Sequence, residues 1–416
     1  DRAGDPAGDR GAGGDAAMTP PQVALGEIAT LIRGITYKPS DVCEATTQSA
    51  VACMRTKNVQ EDLDESDIVW IPASIIRNSS KYLNPGDILV SSANSWNLVG
   101  KGCWVPELKY PASAGGFISI LRGNQDIVDL RYLYHWFVSP QTQAKLRSYS
   151  NKTTNISNLD HSRTLATEIP LPPLEEQRRI AAILDKAENI DSLLKAQQAA
   201  AESLIQSVFI DLFGNPKEEP INSLFSISTL GECCALFSGG TLPDGEENTG
   251  QEGGFLLLKV SDMNLPGNEE RIRTSKLWAS CPGTKSATCP AGSVVIPKRG
   301  GAIGTNKKRV VDRDAVLDPN LMAIAPADNT ITTEFVRGWF SFLDLSLITS
   351  GSSVPQLNKQ DLSPLRLAVP PMQTQEKYKE LSNSVSLISD GLRGQGGRFQ
   401  SLLAVLRCNY FGGPSH

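Results

Sequence analysis

One stretch limits what this chain can fold into: PPLEEQRRIAAILDKAENIDSLLKAQQAAAESLIQSVFIDLFG, from Pro172 to Gly214. Two prolines stop whatever precedes it, Glu175 and Glu176 suit the positive end of a helix dipole, and no Gly or Pro interrupts the run before Gly214. It predicts one long helix. Apolar residues step 3-4-3-4 through Ile180, Ile183, Ala187, Ile190, Leu194, Ala201, Leu204 and Val208. Only Gln197 and Asp211 break this line, which is the narrow seam of a coiled coil. About forty residues at about 1.5 Å each make a rod of roughly 60 Å, longer than a small domain needs for its own packing. Such a rod reads as a spacer.

The rod occurs twice. PPMQTQEKYKELSNSVSLISDGLRGQGGRFQSLLAVLRCNYFGG begins at Pro370, and a shift of roughly 198 positions aligns Gln375 with Gln177 and Phe411-Gly412 with Phe213-Gly214. The second seam runs through Tyr378, Leu381, Val385, Ile388, Leu392, Phe399, Leu402 and Leu406, with Gln395 where Gln197 falls. Two heptad helices in one chain bury their seams most simply against each other, so an antiparallel pair is expected. Its interface is expected to hold Ile183, Ile190, Leu194, Gln197 and Leu204 of the first helix. Ile388, Leu392, Gln395, Phe399 and Leu402 of the second face them, with the two glutamines bonding to fix register. Gly391, Gly394, Gly396 and Gly397 each cost a helix about 1 kcal/mol relative to Ala, which predicts a kinked or partly irregular second helix.

Each rod follows a comparable globular stretch. Leu25-Gly26-Glu27 recurs as Leu230-Gly231-Glu232, and Pro85-Gly86-Asp87 before a buried strand recurs as Ala291-Gly292-Ser293. A polar loop follows each strand, SSANSWNLVGKG in one and PKRGGAIGTNKK in the other, expected to be a hairpin connection with glycines at positive φ. Leu130 to Leu146 and Thr333 to Leu347 have helical spacing with aromatic inner faces; each leads into a second polar loop, NKTTNISNLDHS or SGSSVPQLNKQD. The expected order is a tail or pre-start segment over 1–18, a mixed α/β domain over 19–173, a helix over 174–214, a second domain over 215–371 and a second helix over 372–413. Unit, helix, unit, helix makes the molecule pseudo-symmetric.

Composition narrows the chemistry. No apolar run is long enough to span a bilayer, and the first seventeen residues lack the apolar core and basic start of a signal peptide. Eight cysteines without CxxC pairs read as thiols of a reducing cytoplasm, and the three histidines leave few candidates for metal or imidazole chemistry. There is no P-loop, dinucleotide fingerprint or hydrolase elbow, so no catalytic or metal-binding residue is assigned. The polar loops remain. Asn94, Trp96, Asn97, Lys101, Lys152, Thr153, Thr154 and Asn155 in the first unit offer the residue types that read bases and hold phosphates. Lys298, Arg299, Asn306, Lys307, Lys308, Arg309, Ser352, Ser353, Gln356, Asn358 and Lys359 do so in the second. A net charge of −5 does not prevent this, because the basic residues near Gly300 form a local cluster on an acidic body.

The PPLEEQRRIAAILD helix, the GDILVSS turn and strand, the polar loop before IPLPPLEEQ, and the duplication of all three resemble the DNA-specificity subunit of type I restriction-modification systems. The resemblance covers Met18 to the end. It implies an α/β (α+β) fold of two pseudo-symmetric target-recognition domains separated by two long antiparallel coiled-coil helices. It implies a non-catalytic, cytoplasmic subunit that reads a bipartite, asymmetric sequence in double-stranded DNA, one half per domain, with helix length setting the gap. It further implies docking of two adenine methyltransferase subunits and, through them, of restriction/translocase subunits. S-adenosylmethionine, ATP and magnesium would belong to those partners, with no cofactor or metal on this chain. Glu176, Arg178, Arg179 and Lys186 are candidate docking contacts. The alternatives are a helical interaction scaffold or a specificity protein of a related phage-defence system.

Overall fold

The computed structural model describes residues 20–152, 156–218, 224–349 and 354–411. It divides into two units, one holding residues up to Leu193 together with those from Gly396, the other Leu194–Gln395. In the first unit the turn before Ile88 sets Gly86 at φ 91° and feeds the buried strand Ile88–Ser91. That strand lies inside an antiparallel sheet ordered Ala29–Arg33, Ile118–Gly123, Ile88–Ser91, Gly102–Trp104. Side chains alternate between its faces. Ile88, Val90 and Leu121 pack with Tyr132, Leu133, Trp136 and Phe137 of the helix Leu130–Phe137. Leu89, Ile118 and Ile120 instead share a core with Ala52, Met54, Ala112 and Ala114. Those four belong to a second sheet in which Ala50–Met54 runs parallel to Ala112–Ala114.

The second unit repeats this plan. Its first sheet is ordered Cys234–Ser238, Leu321–Pro326, Val294–Pro297, Arg309–Val311, Arg271–Ile272, and Val294 and Ile296 pack with Phe335, Val336 and Phe340 of the helix Thr333–Ser341. Val295 faces the other way, toward Leu256, Leu258 and Leu317 of a second sheet where Phe255–Leu258 runs parallel to Ala315–Leu317. The expected helix from Leu130 to Leu146 is two helices. Pro140 removes an internal donor and Ser139 accepts from Thr142 N, so a new helix, Pro140–Ser148, starts there. Likewise Thr333–Ser341 stops short, and Asp344 caps a separate turn at Leu345–Leu347.

Leu174–Phe213 and Met372–Phe411 are each one helix of 40 residues. The second is not interrupted by its four glycines. A Cβ built at Gly391, Gly394, Gly396 or Gly397 meets nothing within 4 Å, and the turn around them is fastened by Arg393, which bonds Ser389 Oγ (3.0 Å) and Asp390 (3.0 Å). Gly391→Ala and Gly394→Ala are therefore expected to stabilise the second unit by about 1 kcal/mol each, read as a shift in denaturation midpoint.

Both helices begin the same way. Gln177 is buried; its Oε1 accepts from Asp129 N (2.8 Å) and its Nε2 donates to Pro172 O (2.8 Å). Gln375 repeats this with Thr332 N (2.8 Å) and Pro370 O (2.9 Å). Each glutamine ties its helix to the start of the domain helix before it, and each sets the phase of the long helix it opens. Counting 3-4 from Gln177, positions 180, 184, 187, 191, 194, 198, 201, 205, 208 and 212 are all buried or half-buried. Counting 3-4 from Gln375, the same holds for 378, 382, 385, 389, 392, 396, 399, 403, 406 and 410. Alternate seam positions thus fall one residue later than the apolar spacing predicts. Leu194, Leu392 and Phe399 lie on the line, and Ile183 is half-buried beside it. Ile190, Leu204, Ile388 and Leu402 are exposed, as are Gln197 and Gln395. Within each unit the two helices run antiparallel: Glu188 pairs with Arg407 in the first, while in the second Tyr378 meets Phe209 (centroids 5.3 Å) and Arg393 meets Glu202 (3.4 Å).

Candidate nucleic-acid interface

In the first unit the two polar loops form one sheet edge. Ala93–Asn94 pairs antiparallel with Ser157–Asn158, which pairs with Asn151–Lys152, and Leu159 N donates to Ser92 O (2.8 Å). Trp96 and Asn97 stand exposed on the turn beyond, anchored by fully buried Val99 and by Gly100 at φ 80°. Asn94 turns its amide back, donating to Ser91 Oγ (3.1 Å). Lys101 leaves this edge and donates to Gln60 Oε1 (2.8 Å). Thr153, Thr154 and Asn155, and the side chain of Lys152, lie outside the described residues, as do Ser352 and Ser353 in the second unit.

The second unit makes the same edge with fewer bonds. Arg299 bridges Gln356, Gly300 N donates to Pro355 O (2.9 Å) and Leu357 N to Lys298 O (2.9 Å). Arg299 and Lys359 are exposed, and Asn358 opens the helix Lys359–Leu362 while its side chain accepts from Gln356 Nε2 (2.9 Å). Lys298 is buried with its ammonium on Ser238 Oγ (2.6 Å), and burial, then Arg299 and Lys359, hold its pKa down.

The basic run that comes next is tied inward. Gly300–Thr305 is a 3₁₀ turn, and the positive φ near its end belongs to Asn306 (52°), not to a glycine. Asn306 Oδ1 accepts from Leu345 N (3.0 Å), and Lys308 Nζ donates to Leu343 O (2.7 Å). Burial brings the Lys308 pKa down to about 8. Lys307 donates to Asn264 and Arg309 is half-buried. Arg299 and Lys359 are thus the fully exposed cations of this set.

Sequence reading passed over Phe117, the one exposed phenylalanine among the chain's twelve, at 63 %. Its carbonyl receives Ser92 N (2.9 Å) and Ala93 N (3.2 Å), which seats it against the edge strand. The available signal was a large aromatic directly after Gly115-Gly116. His135, Asp185 and Glu188 gather like metal ligands, but Arg131 bonds both carboxylates (2.5 and 3.0 Å) and Arg407 pairs with Glu188. Two guanidiniums fill that cluster's need for positive charge.

Two α/β units, each holding part of both long helices and a polar edge joined from two equivalent loops, make a duplicated architecture. Residues 22–203 match the family model described as the type I restriction modification DNA specificity domain. The chain is 31% identical over 160 residues to the type I restriction enzyme EcoKI specificity subunit of Escherichia coli (strain K12), covering 38% of this chain and 34% of that one. It thus spans about a third of that curated relative. A putative type I restriction enzyme MjaX specificity subunit of Methanocaldococcus jannaschii is 23% identical over 351 residues, covering 79% and 75%. The fold is like that of the type I restriction-modification S subunit from M. genitalium, with a TM-score of 0.54 at 16% identity over 95% of this chain and 96% of that one. No helix among the described residues is long and apolar enough to cross a membrane.

Proposed function

We propose that this chain is the non-catalytic DNA-recognition subunit of a type I restriction-modification complex. The observation that carries the reading is the two-loop edge, made in both units by main-chain bonds, at Asn94–Ser157 in one and Arg299–Gln356 in the other. Each edge would read one half of a bipartite sequence in duplex DNA, and because their side chains differ the halves would differ. The two long helices would set the gap and dock adenine methyltransferase subunits. Those partners, with the restriction subunits, would bring S-adenosylmethionine, ATP and magnesium.

The test is adenine-methylation mapping by long-read sequencing in cells expressing this chain with its neighbouring methyltransferase. A new motif with two dissimilar halves and a fixed gap is expected. No new methylation from an assembled complex would favour the scaffold reading. Within this reading Arg299→Ala is expected to lower the salt slope of DNA binding by about 1, as one lost phosphate contact does. Lys308→Ala should leave the slope unchanged and destabilise the second unit.

A further inference from the structure

Phe117 sits in a tight turn. Ile118 N closes onto Gly115 O (2.8 Å), making Gly116 and Phe117 the central pair of a β-turn between two buried strands. Three more bonds fix the turn: Ser92 N and Ala93 N to Phe117 O, and Gly34 N to Ile118 O (3.0 Å). A large apolar ring is therefore presented to water on a main chain held by four bonds. Trp96 (39 % exposed) follows the strand Ala93–Asn94 on that edge, and Ile156 (47 %) directly precedes its partner strand Ser157–Asn158.

The surroundings are cationic and polar. Lys81 Nζ donates to Gly34 O (3.2 Å), exposed Arg33 is close enough to His161 to lower its pKa after burial has done so, and His161 Nε2 meets Ser119 Oγ (3.2 Å). The neighbouring carboxylate, Asp160, is engaged in capping the helix His161–Leu165. An exposed apolar ring on a fixed turn, with Arg33 and Lys81 on the elements bonded to that turn, matches a duplex whose bases are apolar faces between phosphates. The second unit supplies the control. Its equivalent turn closes from Leu321 N to Asp318 O (3.1 Å), and the residue at the Phe117 place, bonded through its carbonyl to Lys298 N (2.8 Å), is Asn320.

We propose that Phe117 is a wedge that enters a base step in the half-site read by the first unit, so that this half is chosen partly by how easily the step unstacks. The proposal rests on the DNA-recognition reading above. Flexible pyrimidine–purine steps are the cheapest to open, so one is expected there. The wedge makes no phosphate contact, so its loss should weaken binding without changing the salt slope.

The test uses the full chain assembled with its methyltransferase and duplexes carrying the mapped motif, each with one 2-aminopurine. The probe is moved along both halves, avoiding the methylated adenine. Wild-type complex should brighten the probe at one step of one half only. Phe117→Ala should abolish that signal and weaken binding about 10- to 100-fold at unchanged salt slope, and Phe117→Trp should restore it. Specific binding without any brightened step, or a Phe117→Ala complex that binds as wild type does, overturns the wedge and leaves the recognition reading intact. Absence of sequence-selective binding by the wild-type complex overturns both.

Discussion

Gln177→Leu is expected to lower the stability of the first unit by about 2–4 kcal/mol. The substitution keeps the volume and removes the amide, leaving half-buried Asp129 N–H and buried Pro172 C=O with no partner, each costing about 1–3 kcal/mol. Gln375→Leu should act likewise on the second unit through Thr332 N and Pro370 O. Calorimetry reads this as the earlier melting of one transition. Because the same residue opens the seam, the loss should also raise hydrogen exchange along the helix beyond it. A variant that melts as wild type does would remove the glutamines from their role as anchors.

The second large effect concerns Glu270, whose carboxylate pairs with Arg337 (3.2 Å) and with Arg393 in the glycine-rich helix. Glu270→Ala should destabilise the second unit by about 2–3 kcal/mol. That is below the cost of breaking a fully buried pair, because these side chains are half-buried, Arg393 keeps Asp390 and Arg337 keeps Ser382 and Ser386. Burial acts to raise the Glu270 pKa, but the two guanidiniums outweigh it and hold the carboxyl below its usual range. A depressed carboxyl stabilises fully above the unfolded value, about 4.3, and that contribution is lost as pH falls through the folded one. Stability measured downward from pH 5 should fall more steeply in wild type than in Glu270→Ala.

The duplication, the helix lengths and the recurrence of the polar loops were legible because each rests on local pattern: proline pairs, glycine turns and period. The seam was legible only at every second position. Ile183 and Leu184, or Leu402 and Leu403, satisfy either spacing, and at Ile190-Asp191 and Ile388-Ser389 the apolar residue points out while its polar neighbour turns in. Apolarity therefore favoured the wrong phase, and a buried glutamine, which no hydrophobic count includes, set the right one. The loops divided for a similar reason. Lys308 and Arg299 are indistinguishable in sequence, yet Leu343 O captures one while the other stays in water. Phe117 was missed because a phenylalanine before ISIL reads as the first residue of a buried strand.

Main-chain groups join the two loops of each edge, at Asn94–Ser157 and at Arg299–Gln356. Any residue but proline can stand at such positions without losing the join. Point substitutions can therefore change the side chains that each edge presents, one unit at a time, while the frame that presents them is kept.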